Sequence, residues 1–164
     1  MRARPGVAYA VPMKSEALHV IYLSRLAPDR DWTVFGSVCA TARTRNADEG
    51  IAGVLLFDGE RFLQWLQGPA ERVASLMRAI TADTRHTDLR VLLQAPRPAA
   101  AAAGSWRAGF VDAEAMDAFA ALDTADPEAL LDGLARQIAC ADLEPAPPSG
   151  APRATPPACG MKES

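Results

Sequence analysis

No stretch of this 164-residue chain comes near the roughly 18 to 20 consecutive apolar residues that a membrane span needs, so no membrane association is expected. Cysteine is sparse. Cys39, Cys140 and Cys159 are odd in number and far apart, which excludes both a disulfide framework and a zinc set and fits a reducing, cytoplasmic setting. There is no basic excess either: 17 Lys and Arg stand against 20 Asp and Glu, a net charge of −3, whereas a nucleic-acid scaffold carries a basic stripe. The first residues include Arg2 and Arg4 but no continuous apolar core, so a secretory signal is not expected. Neither G-x-G-x-x-G nor G-x-x-x-x-G-K-[ST] occurs, which removes those phosphate cradles. Only two histidines are present, His19 and His86, on separate segments with neither metal-ligand spacing nor a neighbouring nucleophile. With carboxylates scattered through loops and helix ends, a hydrolase of a familiar type is not expected.

What is there is a core builder set smaller than it first looks. Hydrophobic residues make up 49%, but 34 residues are Ala, which adds little transfer free energy. Residues 1–16 hold Pro5, Gly6 and Pro12 without periodicity and read as a loose leader, with Met13 as an alternative start. Residues 144–164 carry six prolines, which remove backbone donors and predict a disordered tail with Cys159 as an ordinary thiol. Between them, LHVIYLS (18–24) reads as a buried strand. Asp31 is placed to cap a helix whose stripe is Phe35, Val38, Cys39 and Ala42, with Trp32 packing at its start. IAGVLLF and RFLQWLQ, joined by Asp58-Gly59-Glu60, predict a β-hairpin. Along its second strand Phe62, Gln64 and Leu66 point one way, and Leu63 and Trp65 the other. Gly68-Pro69 starts a second helix with a Val73, Leu76, Met77, Ile80 stripe. Strands at 89–94 and 104–111 and helices at about 113–122 and 127–140 complete the chain. Pro98 and Gly104 mark Ala99–Ala103 as a linker.

The order βαββαββ predicts an α+β, ferredoxin-like sheet with two helices on one face. The other face would carry Ile21, Leu23, Leu63 and Trp65, too apolar to stay wet, so the C-terminal helices are expected to cover it. His19 falls on that covered side. Against this pattern stands a polar set at core positions: Tyr22 and Gln64 on inward strand positions and Asn46 at the end of the first helix. A buried Gln has two donors and two acceptor lone pairs to satisfy, and leaving a buried group unpaired costs on the order of 1–3 kcal/mol. Either Gln64 bonds neighbouring backbone while Tyr22 reaches solvent, or the two pair with each other or with a polar ligand.

The runs HVIYLSRLA, ARTRNADEGIAGVLLFDGERFLQWLQG, ADTRH and WRAGF, in that order and spacing, resemble the BLUF domain, a blue-light sensor using flavin adenine dinucleotide (FAD). The resemblance covers about residues 17–111, leaving 112–143 as C-terminal capping helices. It implies a flavin ring held between the two helices on one face. It implies that Tyr22 gives up an electron and a proton on excitation, that Gln64 bridges the tyrosine and the flavin, and that Asn46 bonds the polar edge of the ring. Asp83, Arg85 and His86 match a flavin-contacting segment that ends the second helix, Ser24 a small residue beside the tyrosine, and Trp106 the tryptophan of the fifth strand. Where the family has Met two residues after that tryptophan, this chain has Ala108; Trp106 and Ala108 stand at the positions linked to relaying the signal. Gln67 replaces a family Glu, and Ala52 a family Thr.

The resemblance implies a short photoreceptor that is not itself an enzyme, because about 127 ordered residues leave no room for a separate catalytic domain. Output would then pass to a homo-oligomer partner or a downstream signalling protein. Two other readings stay open: a ferredoxin-like interaction module without flavin, and an enzyme, either an acylphosphatase-like hydrolase built on Arg45-Asn46 or a flavin-using reductase.

Overall fold

A computed structural model describes residues 16–100 and 105–144. Residues 1–15 of the expected leader, residues 145–164 of the Pro-rich tail with Cys159, and most of the alanine linker lie outside the described residues, while Glu16, expected in the leader, opens the first strand. The elements run β1 (Glu16–Leu26), α1 (Val34–Asp48), β2 (Ala52–Phe57), β3 (Arg61–Gly68), α2 (Ala70–Thr81), β4 (His86–Pro98), β5 (Trp106–Phe110), α3 (Ala113–Ala120), α4 (Pro127–Cys140) and β6 (Asp142–Leu143). They form one sheet in the order β4-β1-β3-β2-β5-β6, antiparallel throughout except for the parallel β2–β5 pair. The ferredoxin-like βαββαββ expectation is met, with one short strand added.

The period-2 alternation of β1 and β3 divides the core in two. Val20, Tyr22, Phe62 and Leu66 face α1 and α2, meeting Phe35 and Cys39 from the first helix and Val73 and Leu76 from the second. Ile21, Leu23, Leu63 and Trp65 face the other way and are covered by Met116 and Phe119 of α3 and Leu130 and Leu134 of α4, as the apolar pattern requires. Both covering helices are capped by aspartates: Asp112 Oδ1 accepts from Ala115 N at 2.7 Å, and Asp126 Oδ1 from Glu128 N at 3.0 Å, with Pro127 in the first turn. The β2–β3 turn is closed by Asp58, whose Oδ1 accepts from Glu60 N at 2.9 Å and Arg61 N at 2.6 Å, while Gly59 supplies a φ of +99°.

Several local expectations are corrected. Asp31 does not cap α1: the N-cap is Thr33, and Asp31 Oδ1 takes the Thr33 N–H at 2.9 Å to shape the approach turn. Trp32, expected to pack, is 68% exposed, because that turn carries it outside the stripe of α1. The second helix stops at Thr81, so Asp83 and Arg85 lie in the turn and His86 opens β4. That strand is longer than 89–94 and is bulged where it passes Tyr22, the register jumping from Ile21↔Leu93 to Tyr22↔Val91. The bulge lets the adjacent Leu92 and Leu93 both enter the α3/α4 side, which a regular strand forbids. Finally, β6 pairs with β5, Gly109 opposite Leu143 and Phe110 opposite Asp142.

Candidate functional site

One cavity lies between α1, α2 and the sheet face they cover. Tyr22, Ser24, Asn46, Gln64, Asp83, Arg85 and His86 all line it, so every residue expected to touch a flavin converges there. Sheet register brings the central pair together: Tyr22 is opposite Gln64 across β1 and β3. The Tyr22 phenol donates a hydrogen bond to Gln64 Oε1. This resolves the alternatives for Gln64 in favour of side-chain pairing. The same row continues through Leu55, opposite Gln64 on one side and Ala108 on the other.

Burial raises the Tyr22 phenol well above its ordinary value of 10.0, and the negative charge of Asp83 pushes it further the same way. The group therefore stays protonated and acts as a donor. Asp83 is held low, chiefly by its bonds from Arg85 against the opposing effect of burial. Arg85 grips it in a fork, Nε to Oδ1 at 3.0 Å and Nη2 to Oδ2 at 2.6 Å, and reaches Ser37 Oγ on α1 at 3.3 Å. Its guanidinium thus braces the α2–β4 turn against α1. Burial lowers His86, with Asp83 and the Ile80 carbonyl opposing and Arg85 reinforcing.

The cavity has unmet hydrogen-bonding capacity. Asn46 is 1% exposed, and neither its Nδ2 nor its Oδ1 has a protein partner; Ser24 Oγ and His86 Nδ1 are buried and unpartnered as well. Native interiors rarely tolerate such groups without a ligand or water. Apolar walls from Val38, Ala42, Leu76 and Ile80 accompany them. Apolar sides with a few convergent polar atoms are what a flat heteroaromatic ring with one polar edge needs, so these residues fit a flavin.

Thr41 and Arg45 also line the cavity, although neither is among the residues expected to touch a flavin and Arg45 enters only through the hydrolase reading. With Val38 and Ala42 they sit at helical spacing beside Asn46, which is the signal that identifies them. Arg45 Nε bonds Glu49 Oε1 at 3.4 Å, and the turn before α1 contains no glycine, so the anion loop required by the hydrolase reading is absent from this described segment. Trp106 and Ala108 do not line the cavity. Both are buried in the cluster beneath α1 and α2, Trp106 with its Nε1 unpartnered. On the far side of the sheet, Trp65 Nε1 donates to His19 Nδ1 at 3.3 Å.

A ferredoxin-like sheet with a polar-ended cavity under its paired helices defines a small ligand-binding domain. The chain belongs to the BLUF family, described as "sensors of blue-light using FAD", whose model matches residues 17–103. Among curated proteins it is 36% identical over 74 residues to the blue light- and temperature-regulated antirepressor BluF of Escherichia coli (strain K12), covering 45% of this chain and 18% of that protein. It is 35% identical over 75 residues to the photoactivated adenylate cyclase subunit beta of Euglena gracilis, covering 46% of this chain and 9% of the other. The match thus spans less than a fifth of these relatives. Among solved structures, the dark state of BlrB, a BLUF protein, superposes with a TM-score of 0.60 at 29% identity, covering 77% of this chain and 97% of that one. The photo-activated state of BlsA shares the fold, with a TM-score of 0.63 at 20% identity over 74% and 94% of the two chains.

Proposed function

We propose that this chain is a blue-light photoreceptor that binds FAD in the α1/α2 cavity and acts by conformational signalling rather than by turnover. The observation carrying this reading is Asn46, fully buried, with both ends of its amide facing no protein partner beside a Tyr22–Gln64 pair. Asn46 would hold the polar edge of the flavin, with Gln64, Ser24 and His86, which line the same cavity, as its further polar partners. Asp83 and Arg85 set the electrostatics and rigidity of the rim. Bound flavin supplies the absorption of blue light and, once excited, the oxidising power to take one electron.

The chain's own part is a proton-coupled relay. Tyr22 would be the one-electron donor to bound flavin, with its phenolic proton already aligned on the bond to Gln64 Oε1, the path along which it could pass toward the reduced flavin and return in the dark. An amide has a donor end and an acceptor end, so turning or tautomerising Gln64 exchanges the hydrogen bonds presented to the flavin without a covalent adduct. Gln64 sits on a central strand, so its rearrangement is felt by β1, β2 and, through Leu55, Ala108 of β5. Residues 17–111 form the sensing unit and 112–143 its cover. The signal passes to a second protein or a second copy, in keeping with relatives named for an antirepressor and an adenylate cyclase subunit.

Protein purified with added FAD should be yellow and show a small reversible redshift under blue light. Tyr22→Phe should keep the flavin and lose the normal redshift. Retained photochemistry in that variant removes Tyr22 from its role, and a colourless protein that takes up no added flavin favours the interaction-module reading.

A further inference from the structure

The sheet face under α3 and α4 is apolar except where β1 and β3 place His19, Trp65 and Gln67. Gln67 is 6% exposed and makes an unusual pair. Its Nε2 donates to the Ala100 carbonyl at 3.1 Å, and its Oε1 accepts the Ala100 N–H at 2.9 Å. One side-chain amide thereby satisfies both backbone groups of a residue in the connection from β4 to β5. Both distances are ordinary for N–H···O bonds. Ala100 also packs against the α3/α4-side cluster.

Gln67 and Gln64 share a strand but point to opposite faces, one toward the β4–β5 connection and the other into the cavity. Through its backbone Gln67 is paired with His19 on one side and Ala52 on the other, so it cannot move without β3. Downstream of the connection lies β5, where Ala108 offers only a methyl group to the row containing Gln64.

We propose that Gln67 is a positioning residue for the light response: it latches the β4–β5 connection to β3 and carries movement of the Gln64 strand to β5. This rests on the photoreceptor reading above. When β3 shifts, a bidentate amide–peptide pair either drags Ala100 along or breaks.

The test uses the full chain loaded with FAD and compares hydrogen exchange in dark and light over peptides covering 95–100 and 106–110. In the wild type, illumination should alter exchange in both. Gln67→Leu should keep the flavin and the redshift, raise dark exchange near Ala100 about tenfold, and abolish the light-induced difference at 106–110. Ala100→Pro, which deletes the donor from the other partner, should abolish that difference too and covers a failure of Gln67→Leu to fold. Gln67→Glu keeps an acceptor for the Ala100 N–H and loses the donor to the Ala100 carbonyl, so it should fall between. A wild-type light difference at 106–110 surviving in Gln67→Leu or Ala100→Pro overturns the latch, as does a wild type that redshifts without any exchange change there. A wild type that takes up flavin but never redshifts, or takes up none, overturns the photoreceptor reading and the latch with it.

Discussion

Replacing Asn46 with Leu should stabilise the flavin-free protein while weakening its hold on flavin. The amide is 1% exposed with both polar atoms unpartnered, and each such group costs about 1–3 kcal/mol relative to its hydrated form. Water entering the cavity relieves part of that cost, which sets the gain from removing both at about 1–2 kcal/mol. Leu is also the better helix former, and its branched end has Val38, Ala42 and Leu76 to pack against. In urea, with a slope of roughly 1–3 kcal/mol/M for a small domain, the midpoint of the flavin-free protein should rise by about 0.3–2 M. Flavin titration should move the other way. Two hydrogen bonds of about 0.5–1.5 kcal/mol each are lost, a weakening of roughly 5- to 150-fold. A flavin-free Asn46→Leu protein less stable than the wild type, or one that binds flavin equally well, refutes the assignment of Asn46 as a ligand-facing group held at a cost to the fold.

Two further outcomes follow from the packing of β5 and the burial of the two histidines. A Cβ on Gly109 would lie 2.4 Å from Asp142 O and 2.8 Å from Leu143 Cα, both backbone atoms, so Gly109→Val should release β6 from β5 and speed amide exchange at Asp142–Glu144; unchanged protection there contradicts the pairing. His19 is lowered from 6.5 by burial, with the Pro98 carbonyl opposing and Arg97 reinforcing, and His86 is lowered by burial despite Asp83. Because unfolded imidazoles protonate first, the unfolded state binds more protons below about 6.5; stability present above that value is lost as the pH falls toward the folded-state pKa values. Urea midpoints should therefore drop between pH 7.5 and 5.5, and a His19→Gln, His86→Gln double variant should flatten the profile.

Strand faces were legible because β1 and β3 are central and apolar on both sides, so each residue's parity names its neighbours. The need for a cover on Ile21, Leu23, Leu63 and Trp65 followed from hydrophobicity alone, and α3 and α4 supply it. The edge was harder. His86–Pro98 mixes charged residues and prolines with its leucines, and a bulge breaks the alternation at the point where it would be read. With only Asp142 and Leu143, β6 is too short to show any period, and what recruits it is the missing side chain at Gly109. Trp32 misled because it reads as opening the helix and packing there, whereas the Asp31 turn places it before the first helical residue and in solvent.

Polar residues at core positions are visible in a sequence, but what satisfies them is not, and here the two outcomes separate structure from function. Gln64 and Gln67 look alike as amides in an apolar strand three residues apart. Gln67 finds both partners on one backbone residue 33 positions away, in a connection that carries no periodic signal, so nothing local announces the pair. Gln64 finds its partner in Tyr22, which strand pairing does announce. Asn46 finds none, although α1 buries it as fully as any core leucine. Gln67 is satisfied by its own chain and Gln64 Oε1 by Tyr22, whereas both polar atoms of Asn46 stay unpartnered against the cavity, where the flavin proposed above would complete the hydrogen bonding.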